Sequence, residues 1–200
     1  MAFIDHHDVV VGSTDDGHTF IVLNRPIRTA HHALTASGFA AREHNGRTMY
    51  LLPSGTSTEE AHDRTGDALH HLLAHTMDFV DLSWTTRYTA TGPVSEAAVR
   101  FDLSDGRVTA TVHTPAARDV IAQHGFAPTP QGYVLAAQLS ERETVGAVAR
   151  AEAHLWSLGI PSEITLGIPT PKAIPAAPGH TSATAPARPS PVPRQSRRPR

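Results

Sequence analysis

His71 and His75 stand four residues apart in a stretch with helical periodicity. Two imidazoles at that spacing can hold one divalent cation from one face of a helix. His70 adjoins them, and His31, His32 and His62 lie in the same half of the chain. A metal-dependent enzyme built on His71 and His75 is therefore one reading, although no His-Glu-x-x-His motif accompanies the pair and no third ligand is set by spacing. The second concentration of chemistry is at the C-terminus, where Arg188, Arg194, Arg197, Arg198 and Arg200 are spread among prolines. Guanidinium groups on an extended arm suit phosphate and carboxylate surfaces and release counterions on binding. All 19 acidic residues and eleven of the 17 basic ones precede position 169, so the first 168 residues carry −8 and the remainder +6. That division predicts a folded body with a basic arm that contacts DNA, RNA or an acidic protein surface.

Other candidates carry less. Asp5-His6-His7 resembles the Asp-His-His signature of a phosphoesterase family, but that signature works with further aspartates upstream and only four residues precede it here. Tyr50 and Tyr133 occupy matching places in apolar runs. They resemble the base-stacking aromatics of RNA-recognition modules. The basic-glycine-aromatic run of that family is missing, and burial in a core is the simpler expectation for both rings. Neither a nucleophile-elbow serine, a Ser-x-x-Lys pair nor a phosphate-loop glycine pattern is present, and nothing calls for a cofactor. The chain has no cysteine, which excludes disulfides and thiolate chemistry and fits a reducing compartment. The N-terminus lacks the basic start and apolar core of a signal peptide, and no apolar run reaches about 18 residues. The expected location is cytoplasmic, with no membrane partner.

The elements that must position these residues occur twice. An Asp-Gly turn (Asp16-Gly17; Asp105-Gly106) precedes a β-like run and a proline (Pro26; Pro115). A Gly-Phe pair follows (Gly38-Phe39; Gly125-Phe126), then a tyrosine in an apolar run, then a capping box (Ser57 with Glu60; Ser140 with Glu143) that opens a long amphipathic helix. The offset is 89 residues at the turns, 87 at Gly-Phe and 83 from the tyrosines onward, so insertions fall in the connections. Thr114-Pro115 reads as an N-cap with proline at the first helical position. Asn24-Arg25-Pro26 reads as its looser counterpart. Asn45-Gly46 predicts a two-residue hairpin turn. Phe79–Trp84 and Ile164–Ile168 read as closing strands.

The predicted fold is α+β: a tandem duplication of a ββαββα(β) unit whose last five elements follow the ferredoxin-like order. Its sheets would be rich in antiparallel pairs, with helices on one face. The expected domains are 1–84 and 98–168, a linker at 85–97, and a disordered Pro/Ala/Arg-rich tail at 169–200. In each unit the Asp-Gly hairpin and the closing strand compete for one sheet edge. The hairpin should win because its closure costs little entropy, sending the closing strand to an outer edge or to the other unit. The second sheet is the expected cover for the bare face of the first. The functional expectation is a non-enzymatic accessory protein whose body associates with a partner or with another copy and whose tail engages a polyanion. Its rivals are a small-ligand sensor with a pocket between the units and the metal-dependent enzyme above.

Overall fold

The computed structural model describes residues 2–82, 97–103, 107–135 and 139–179. The second Asp-Gly turn, nearly all of the expected linker and the five tail arginines lie outside these residues. The first unit contains β1 (Val9–Ser13), β2 (Thr19–Leu23), α1 (Ala30–Ala36), β3 (Ala40–His44), β4 (Arg47–Leu51), α2 (Thr58–Leu72) and β5 (Phe79–Asp81). The second contains β6 (Val99–Asp102), β7 (Thr109–Val112), α3 (Pro115–Gln123), β8 (Phe126–Thr129), β9 (Gly132–Leu135), α4 (Glu141–Ser157) and β10 (Ser162–Thr165). The architecture is mixed α+β, with two five-stranded sheets and four α-helices among the described residues.

Local chemistry explains most boundaries. Thr114 and Ser140 each accept a hydrogen bond from the third amide of their helix, and Glu143 reaches back to complete the capping box at Ser140. Ser57 caps α2 in the same way, but Glu60 turns instead to Arg64 at 2.6 Å. Asn45 and Gly46 both have positive φ, the requirement of a type I′ turn, and they join β3 to β4. The looser first-unit counterpart starts late. α1 begins at Ala30, after Thr29 in a left-handed conformation and without a side-chain cap.

The sheets run β3-β4-β2-β1-β5 and β8-β9-β7-β6-β10, the same order in each unit. The hairpins β1–β2 and β6–β7 take the contested edge. The closing strands β5 and β10 pair parallel with the outer sides of β1 and β6. The closing strand therefore stays in its own sheet, one position outside its place in the ferredoxin-like order.

Residues on the two faces of the first sheet enter different cores. Val9, Val11, Ile21 and Tyr50 pack with Leu34, Ala61, Ala68 and Leu72 of α1 and α2. Val10, Phe20, Val22, Met49, Val80 and Leu82 belong to a larger core that also holds Val99, Phe101, Val148 and Leu155 of the second unit. The expected face-to-face stacking of sheets is not what joins them. The buried face of the second sheet packs with α3 and α4, and its other face presents Arg100, Thr109 and Thr111 to solvent.

A strap after β10 supplies cover for the first sheet. The Asp15 and Asp16 amides donate to the Ile168 and Pro169 carbonyls at 2.9 and 3.1 Å. Leu166 comes so near β1 that a β-carbon at Gly12 would lie 2.6 Å from its Cδ1. Ile174 is buried, and the Ala177 amide donates to the Asn45 carbonyl at 3.2 Å. The strap thus runs from the β1–β2 turn to the β3–β4 turn. In residues 169–179, which composition assigns to the start of the extended tail, Ile174 is buried and the backbone at Pro169, Pro175, Ala176 and Ala177 is hydrogen-bonded to the body, while most of the other side chains stay exposed.

Candidate functional site

The seam between the units is built from the N-terminal run Asp5-His6-His7-Asp8. A short 3-10 turn at Phe3–Asp5 buries Ile4 and directs the next side chains to different anchors. Asp5 pairs with Arg47, and both side chains are almost wholly buried. Arg47 also donates to Asn24 Oδ1 at 2.8 Å and to the strap carbonyls of Pro175 and Ala176 at 3.1 and 3.2 Å. Its guanidinium is thereby committed to holding turn, N-terminus and strap together. Asp8 accepts from Thr76 Oγ1 at 2.7 Å and pairs with Arg25 at 2.6 Å.

His6 reaches the second unit, and His7 holds Asp78 of the first, which Arg142 of the second also grips. His6 Nε2 meets Glu141 at 2.6 Å, and His7 Nδ1 meets Asp78 Oδ1 at 2.9 Å. Arg142 forks onto both oxygens of Asp78 at 2.7 and 3.0 Å and donates to the His6 carbonyl at 2.8 Å. Such two-point pairing fixes orientation as well as distance. Burial opposes ionisation of Asp78, but hydrogen bonds from His7 and Arg142 outweigh it and hold the carboxyl below its ordinary range. The Asp-His-His run is therefore a clasp in which Asp5, one nitrogen of His6 and one of His7 are held by structural partners, while His7 Nε2 is buried without a hydrogen-bond partner among the described residues.

Two cavities flank the clasp. An open one of about 590 Å³ lies between Arg25 and Arg142, with residues 73–78 as its floor and Met77 80% exposed at its lip. It joins a cation from each unit to an apolar rim. The other, of about 420 Å³, is lined by Leu23, Ile27, His31, Arg47, Tyr50 and the strap residues Ala177 and Pro178. In it the Tyr50 hydroxyl lies 3.4 Å from His31 Nδ1. Burial, and then the negative charge of Glu43, push the Tyr50 phenol up, so it is protonated at neutral pH.

The predicted metal pair meets a different geometry. α2 ends at Leu72, which leaves His71 in its last turn and puts His75 in the bend beyond, with Nε2 3.3 Å from Thr29 Oγ1. The helical i, i+4 relation therefore does not hold. Among the described residues no group of three or more His, Asp or Glu side chains is placed to hold a metal ion. Tyr50 is buried against α1 and α2, and Tyr133 is half-buried against the larger core, so both rings serve packing. Arg188, Arg194, Arg197, Arg198 and Arg200 lie beyond the described residues. No helix among those residues is long and apolar enough to cross a membrane. In comparisons with known proteins, no family model, curated protein or solved structure matches the chain.

Proposed function

We propose that the chain is a non-enzymatic, cytoplasmic binding protein whose body is an association platform and whose basic tail contacts DNA, RNA or an acidic protein. The two units would descend from one duplicated module with a ferredoxin-like core, extended by the Asp-Gly hairpin. The shared strand order and the repeated caps support that descent. The observation that carries the functional reading is the charge division, −8 before position 169 and +6 after it. The strap adds a physical basis, since it ties the chain to the body up to Ala177 and gives the arginines beyond it a fixed point of departure. The seam supports the association role only indirectly, because its ionisable groups are spent on one another.

The test is DNA and RNA binding by fluorescence anisotropy across a salt series. It compares the intact chain with a variant in which Arg188, Arg194, Arg197, Arg198 and Arg200 are glutamine. If all five contact phosphates, the slope of log affinity against log salt is shallower by about 4.5 in the variant on duplex DNA. Equal affinity and slope for the two proteins reject a tail-driven mechanism.

A second reading, a small-ligand sensor, is favoured by the cavity between Arg25 and Arg142. Arg25 and Arg142 line this depression with Leu73 and Met77, and each is already paired with a carboxylate, Asp8 and Asp78, so a small anion with an apolar part would bind by displacing one of these pairs. A thermal-shift screen of carboxylate and phosphate metabolites checks it, because a ligand at 100 times its Kd stabilises by about 2.7 kcal/mol. No shift with any anion at millimolar concentration removes this reading.

A further inference from the structure

The second unit brings two imidazoles together at the ends of its helices. His124 is the C-cap of α3, and His154 is in the last turn of α4. His124 Nε2 and His154 Nδ1 are 3.1 Å apart, and the rings meet edge-on with centroids 5.4 Å apart. Both residues are partly exposed, so an ion has a path to them. We propose that His124 and His154 form a two-imidazole site for a borderline divalent cation, with Cu²⁺ bound most tightly.

Geometry is the main argument. Two nitrogens each about 2.0–2.1 Å from one ion lie about 2.9 Å apart at a right angle and about 3.3 Å apart at the tetrahedral angle. The observed separation falls between these values, so one ion fits both nitrogens once the rings turn from facing each other to facing it. Without metal the same contact is an N–H to N hydrogen bond. On binding, the donor ring exchanges its proton through solvent to its other nitrogen, and no net charge is lost.

Chemistry sets the class of ion. Imidazole nitrogens select copper, nickel and zinc over magnesium and calcium, and affinity peaks at Cu²⁺ in the first-row order. The site needs neutral rings. The charge of Arg150 is felt at His124. Arg150 also repels a dication, so the remaining positions are suited to water or an anionic ligand. The pair is particular to the second unit. At the repeat offsets His71 stands for His154, but Ser37 stands for His124.

The experiment is a titration of the untagged full chain with Cu²⁺, followed by NMR at a tenth of an equivalent. Paramagnetic broadening should begin at the amides around His124 and His154, before those of the other twelve histidines. His124→Ala and His154→Ala should each weaken the tightest Cu²⁺ site roughly tenfold or more and abolish that local broadening. His113→Ala, on an exposed loop, should change neither. Broadening that begins elsewhere or spreads evenly in the intact chain overturns the proposal, as do variants that bind Cu²⁺ like the parent. The spectrum of the intact chain decides the question even if a variant folds poorly.

Discussion

The two sheets share one strand order and meet solvent in opposite ways. By register, Val10 of β1 corresponds to Arg100 of β6, because each pairs with the second-last residue of its hairpin partner, Val22 and Thr111. Phe20 corresponds to Thr109, and Val80 of β5 corresponds to Glu163 of β10. Every one of these positions is apolar and buried in the first sheet, and polar and partly or fully exposed in the second. A strand buried on both sides reads as a continuous apolar run, and a strand with one wet face alternates. Val9-Val10-Val11 and Phe20-Ile21-Val22 follow the first pattern, and Val99-Arg100-Phe101-Asp102 follows the second. The lesson is that strand order and burial are separately encoded. Turns and caps set the order, and the residues on the second face decide whether that face must be covered.

The strap makes the relationship unequal. Residues that leave β10 of the second unit complete the core of the first, so the first sheet depends on chain that follows the second. Sharp tests of the comparison substitute matched positions. Val22→Asp places a charge in the doubly buried sheet and should cost more than about 4 kcal/mol, enough to unfold a domain of ordinary stability. Thr111→Asp at the matching position should stay within about 0.5 kcal/mol of the parent. Urea denaturation of the two variants reads the difference directly, and equal losses would break the comparison.

Arg47→Ala should come next, at about 3–5 kcal/mol, because it leaves Asp5 buried without its partner. Its distinguishing sign is faster proteolysis within residues 169–179, since the variant also removes two of the bonds that hold the strap. Leu166→Ala should cost about 2–5 kcal/mol. Hydrogen exchange should quicken in β1 and β2 more than in β7 and β9. A uniform increase would mean that the strap serves both units alike.

The smallest effects concern charge at the seam. Burial, and then the nearby Asp81, raise the Glu152 carboxyl above its ordinary 4.5. A raised carboxyl favours the protonated folded state, so its charge becomes a liability as pH rises past the ordinary value. Glu152→Gln should therefore raise Tm at pH 7 by roughly 2–4 °C and leave it unchanged near pH 3. Asp78 has the opposite sign. Its carboxyl is held below the ordinary 3.8, so its contribution is present above that value and is lost as pH falls through the lowered one. Asp78→Asn should flatten the acid limb of the stability curve, and calorimetry from pH 5 to about 2 would show it.

Much of the fold was legible in particular residues. Thr114-Pro115, Ser140 with Glu143, and Asn45-Gly46 act within a few residues of themselves, so their chemistry needs no distant partner to be read. The four-residue spacing of His71 and His75 places both on one helix face only if the helix continues, and α2 stops at Leu72. The clasp had a visible signal in Asp5-His6-His7-Asp8, but its partners are up to 136 residues away and no local rule names them. That the bare face of the first sheet needs cover is legible in the unbroken apolar runs of β1 and β2, but no local rule assigns that cover to the strap after β10 in place of the second sheet.

By itself the sequence determined where elements begin and end, that they recur in one order, and that charge is divided between body and tail. Those features depend on backbone sterics, capping hydrogen bonds and composition, which act over a few residues or add along the chain. Only the tertiary structure decided that a strap closes the first sheet, that Arg47 gathers three segments, and that His124 meets His154. Each of these joins groups far apart in the chain, and their meeting is fixed by how apolar faces exclude water together.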